Sequence, residues 1–147
     1  MEGINRIAGS AAKLTAALAL VLIALAFTSA PSTAGDRPVL VEIFYLPHRP
    51  AEAVVRDIEG VASRFKGVTV RKYSFEDPKS RKQLEKYGLR EHMPVAIFIN
   101  GRNEFTVGGR SINLRNFPKG NSFAPMFEGV WTYEDIESIV SSALKGR

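Results

Sequence analysis

The chain has 147 residues, room for one domain, with 20 basic and 15 acidic side chains, a formal net charge of +5 and no cysteine. The missing thiols exclude disulfide exchange, thiol catalysis and thiolate metal ligation. The basic residues are scattered rather than gathered into a stripe, which argues against a nucleic-acid partner.

Residues 1–34 carry Arg6 and Lys13, then a near-continuous apolar run from Leu14 to Phe27, then the small residues Thr28-Ser29-Ala30 and Ser32-Thr33-Ala34-Gly35. That is the order of a secretory signal peptide. Pro31 disfavours cleavage after Ala30, so cleavage after Ala34 is expected. The apolar run is short for a membrane span, which needs about 20 residues; an uncleaved N-terminal anchor is the alternative reading. A periplasmic or secreted location follows, with the membrane reached only through this segment. Cleavage removes Arg6, Lys13 and Glu2, leaving 18 basic and 14 acidic side chains on residues 35–147.

Within 35–147 the first strong element is Val39 to Leu46, VLVEIFYL, interrupted only by Glu42. Such continuous apolarity predicts a central strand covered on both faces. Pro47-His48-Arg49-Pro50 breaks it. A helix is expected from about Ala51 to Phe65, with Val54, Val55, Ile58, Val61 and Ala62 on one face and Pro50 at its first position. Val68 to Tyr73 reads as a second strand. Asp77-Pro78 starts a short basic helix that Gly88 closes.

Val95 to Ile99 is a second buried run, and Asn100-Gly101 is a two-residue hairpin signal, so Glu104 to Val107 is expected to return antiparallel beside it. Thr132 and Asp135 form a capping box for a last helix, with Trp131 and Ile136 as its hydrophobic staple. The order is β-α-β-α-β-β-α, an α/β fold with a central mixed four-stranded sheet flanked by helices.

Several segments resemble the thioredoxin superfamily. VLVEIFYLPHRPAEAVVRDIEGVA is similar to the family's active-site strand and the helix after it, which places His48-Arg49-Pro50-Ala51 on the Cys-Gly-Pro-Cys motif. Lys86-Tyr87-Gly88-Leu89-Arg90 followed by Met93-Pro94-Val95 resembles the segment leading to the family's cis-proline, which would make Pro94 that residue. Val107-Gly108 resembles the turn that borders the family's binding groove. The resemblance implies a thioredoxin-like fold, but oxidoreductase activity does not carry over, because His48 and Ala51 stand where the cysteines would be. The family's usual first strand and helix are absent ahead of Val39.

The candidate residues follow. His48 is expected at a helix N-terminus, where its ring can accept a hydrogen bond or bind a metal. His92 and Met93 precede Pro94 and could share a face with His48; two imidazoles and a thioether would suit copper. Glu42 matches the position of a buried acid in the family, and the alternative is a paired or partly exposed carboxylate. Lys79, Arg81, Lys82 and Lys86 read as a solvated basic face. A loop insertion at about 110–130 carries Phe117, Phe123, Met126 and Phe127. Loops of that length are often functional; the other reading is aromatic cover for a sheet edge left bare by the missing N-terminal elements.

The function expected is that of a non-catalytic, exported module that binds a protein or peptide in the periplasm. Its face would comprise His48, Arg49, Pro50, Met93, Pro94, Val107, Gly108, Phe123 and Phe127. Copper binding or delivery through His48, His92 and Met93 is the alternative, and no other cofactor is implied. No nucleophile–base pair is apparent, so no catalytic residue is assigned.

Overall fold

The computed structural model describes residues 37–90 and 93–146. The segment read as a signal peptide, and His92, lie outside them. The elements are β1 (Val39–Tyr45), α1 (Arg49–Ala62), β2 (Val68–Ser74), a 3-10 turn at Pro78–Ser80 leading into α2 (Arg81–Lys86), β3 (Val95–Ile99), β4 (Glu104–Val107), β5 (Arg110–Asn113), a 3-10 turn at Pro125–Phe127, and α3 (Tyr133–Lys145).

A three-stranded mixed sheet runs in the order β2-β1-β3, with β1 and β2 parallel and β1 and β3 antiparallel. The parallel pair needs a crossover, and α1 supplies it. Because successive strand residues face opposite sides, Val39, Val41 and Ile43 pack with Val54, Ile58, Ile136 and Ile139 of α1 and α3. Phe44 instead packs with Phe75, Leu89, Ala96 and Phe98 on the α2 side. Burial on both faces accounts for the unbroken apolarity of β1 and β3.

The expected four-stranded sheet is not what forms. Asn100 and Gly101 take left-handed backbone at φ 49° and 79°, and Ile99 and Arg102 exchange both hydrogen bonds of a two-residue turn. Beyond that bridge the chain leaves β3. Gly108 and Gly109, both left-handed, turn it back at once, so β4 pairs with β5 as a separate two-stranded hairpin. The segment after β5 then occupies the margin of β3: Ile97 N–H donates to the Leu114 carbonyl, and Asn116 N–H to that of Val95. Ile112 and Leu114 are buried in the main core, whereas Phe105 and Val107 of the first arm are only partly buried against it.

Helix boundaries differ slightly from the sequence reading. α1 begins at Arg49, putting Pro50 one position inside it, and ends at Ala62 with Ser63 as the cap. Asp77 accepts from Lys79 N–H, as its capping role requires, but only six residues of α2 are α-helical. α3 carries both bonds of the predicted capping box, Asp135 N–H to Thr132 Oγ1 and Thr132 N–H to Asp135 Oδ2. Trp131 and Ile136 are both fully buried beneath it.

Candidate functional site

The site is built where β1 gives way to α1. His48 is the N-cap residue of α1, in extended backbone and without a side-chain capping bond. Its own N–H donates back to the Leu46 carbonyl at 2.8 Å, which tightens the loop. Leu46 N–H donates to the Pro94 carbonyl at 3.1 Å, holding the approach to β3 against this loop. Ala51, one turn into α1, is buried, while His48, Arg49 and Pro50 are exposed.

The third wall is the insertion, which is ordered by main-chain pairing rather than left as an open loop. Phe117 N–H donates to the Phe127 carbonyl and Gly129 N–H to the Phe117 carbonyl, at 2.9 and 2.7 Å. Trp131 Nε1–H donates to the Arg115 carbonyl at 3.0 Å. The insertion therefore follows the β3 margin, whereas β2 lies at the opposite margin. The aromatics of the insertion converge: Phe117 and Phe123 meet edge to face at 5.8 Å, and Phe123 and Phe127 lie 6.1 Å apart. Phe117 is buried, whereas Phe123 is 73% exposed.

Together these walls enclose a cavity of about 330 Å³ lined by Leu46, His48, Pro50, Ala51, Pro94, Phe117, Phe123 and Phe127. His48, Pro50, Pro94, Phe123 and Phe127 come together as the sequence reading expected. Leu46, Ala51 and Phe117 were missed. Phe117 was visible as an aromatic of the insertion, but nothing marked it as the one that turns inward. Arg49 lies exposed between two lining residues. Met93 packs instead with the second core cluster around Phe44.

Val107 and Gly108 require a correction. They line a separate groove with Ile99, Asn100, Ile139 and Ser142, beside α3. The reason is the same hairpin: with β4 peeled away from β3, the turn it carries cannot border the His48 cavity. His48 and Leu46 also line a second groove, of about 960 Å³, in which the charged Glu76, Asp77, Arg81, Glu85 and Arg90 alternate with apolar walls such as Phe75, Leu84 and Leu89.

Glu42 is 1% exposed and faces the α2 side of the sheet, opposite α1. Its partner is neither lysine nor arginine. Tyr87 Oη–H donates to Glu42 Oε2 at 2.5 Å, and the Tyr87 ring stacks on Phe98 at 3.9 Å. Lys86 Nζ reaches the Tyr87 hydroxyl from outside at 3.0 Å. Burial, then the bond to Glu42, pushes the Tyr87 hydroxyl above its ordinary pKa. The hydrogen bond to Tyr87 raises Lys86. None of this reaches the apolar cavity, whose lining among the described residues has His48 as its only polar side chain.

Such a lining can exclude water and seat an apolar group, but offers no nucleophile with a base beside it. Among the described residues no three of His, Asp and Glu are placed to hold a metal ion. No helix among them is long and apolar enough to cross a membrane. Compared with protein-family models, with curated proteins and with solved structures, the chain finds no match.

Proposed function

We propose that the protein is an exported, non-redox thioredoxin-like domain whose apolar cavity binds an extended segment of a protein partner in the periplasm. The observation that carries this reading is the convergence of the His48-Arg49-Pro50 loop, Pro94 and the insertion aromatics on one cavity. Its volume lies at the small end of the range typical of ligand pockets, and its lining is apolar with one polar group. The thioredoxin-like assignment is supported by a parallel β1–β2 pair joined through α1 and by an antiparallel β3 entered through a proline. Absence of cysteine removes the family's chemistry while leaving a seat for a polypeptide. Export is read from residues 1–34.

Peptide binding mapped by NMR on the full-length protein tests the proposal. A library of extended peptides is screened against the wild type and against Phe127→Ala. Ligands that shift the resonances of Leu46, His48, Ala51 and Phe117, and that lose affinity with Phe127→Ala, are expected. Ligands that instead shift Val107, Gly108 and Ser142 would move the site to the α3 groove and end this reading.

A further inference from the structure

The cavity is uneven in charge as well as in polarity. Among the described residues no acidic side chain lines it, and His48 is its only polar lining group. Arg49 follows directly, exposed and without an ion pair among the described residues. An apolar chamber whose one polar lining group among the described residues is followed in the chain by an exposed arginine complements an apolar group joined to an anion.

In a polypeptide one position always offers that combination, the C-terminal residue, whose side chain and carboxylate share a carbon. We propose that the cavity takes the C-terminal residue of the partner chain, and that this residue is aromatic or a large aliphatic. The side chain seats against Phe117 and Phe127, and the terminal carboxylate meets His48 and Arg49. An internal residue of the same type would bring a neutral amide to Arg49 and forgo the stronger, charge-assisted hydrogen bonds. A basic terminal residue would meet like charge and an apolar wall. This inference rests on the peptide-binding reading and narrows it.

The test uses fluorescence anisotropy with the full-length protein and one labelled decapeptide ending in phenylalanine, made as the free acid and as the amide. The free acid is expected to bind about tenfold or more tightly, the factor that one charge-assisted hydrogen bond supplies. Arg49→Gln, a change at an exposed position, is expected to close most of that gap. A version ending in glycine is expected to bind weakly in both forms. If acid and amide bind equally and both are lost in Phe127→Ala, the C-terminal specificity is overturned while the peptide-binding reading stands. If no form binds, both fall. If dodecanoate displaces the peptide at concentrations below the peptide's own Kd, the anion is a fatty acid, and the assignment to a chain terminus is overturned.

Discussion

Tyr87 and Glu42, 45 residues apart in the chain, share a 2.5 Å hydrogen bond that fastens the end of α2 to the middle of β1. Glu42 is the one charged-type side chain among the fully buried residues of the sheet, and the tyrosine hydroxyl is the donor that satisfies it. Removing the donor alone leaves a buried carboxyl short of a partner, which costs about 1–3 kcal/mol. Tyr87→Phe is therefore expected to lower stability by that amount in urea denaturation. Adding Glu42→Leu is expected to recover part of the loss, because an apolar pair leaves nothing unsatisfied. A Tyr87→Phe variant as stable as the wild type would mean that the bond contributes nothing.

Alkaline stability follows from two tyrosines. Tyr87 is raised by burial and by Glu42, and Tyr133 by burial and by its hydrogen bond to Asp57. A hydroxyl whose folded value is raised stabilises the fold fully below the ordinary tyrosine value of about 10, and that contribution is lost as pH climbs through the raised value. Stability is thus expected to fall above about pH 10. The slope should be shallower in Tyr133→Phe and shallower again in the double variant with Tyr87→Phe. Unfolding midpoints measured from pH 8 to 12 would check it, and parallel curves for all three proteins would count against it.

Gly129 is fixed by close approach rather than by backbone sign. A Cβ there would lie 2.7 Å from the Phe117 carbonyl oxygen and 2.9 Å from Trp131 Cδ1, and closer still to the Arg115 carbonyl oxygen. Two of these neighbours are main chain and cannot swing away. Gly129→Ala is expected to destabilise by roughly 1–3 kcal/mol, the usual range for overpacking, and to loosen the Phe117–Phe127 pairing. Thermal denaturation reads the first effect, and amide exchange at Phe117 and Gly129 the second. Gly60→Ala, with open space around its Cβ, serves as the control.

Asp135 serves two partners, the N–H of Thr132 in the capping box and Arg110 of β5, 2.8 Å away. Its side chain is 4% exposed while that of Arg110 is 56% exposed. Partial exposure of one member limits an ion pair to about 0–1 kcal/mol, and loss of a cap costs about 0.5–2 kcal/mol. Asp135→Ala is therefore expected to cost clearly more than Arg110→Ala. Equal losses in denaturant titration would mean that the ion pair, not the cap, dominates at this helix end.

Local signals were read well where a single element satisfied them by itself. The continuous apolarity of β1 and β3, the helical spacing from Val54 to Ala62, the Asn100-Gly101 turn and the Thr132–Asp135 box all depend on near neighbours. What followed Asn100-Gly101 did not. Glu104 to Val107 had the pattern of a sheet strand, yet the adjacent glycines at 108 and 109 closed a tighter hairpin, and the margin of β3 went to Leu114–Asn116. Arg-Ser-Ile-Asn gave little sign of being β5, since only Ile112 of the four is buried. The same choice moved Val107 and Gly108 away from the His48 cavity. The tyrosine partner of Glu42 was illegible for another reason: it arrives from 45 residues along the chain.

Ala51 and Phe117 are at once the floor of the apolar cavity and members of the principal core. Substitutions in that floor carry a folding penalty, whereas Phe123, at the exposed lip, is nearly free of one. Selection for a new ligand would therefore run through the lip and spare the floor. A ligand held against the floor is also coupled to global unfolding, raising the melting temperature by mass action as its concentration exceeds its Kd. Heat stability is thus a direct gauge of occupancy, usable before any partner is identified.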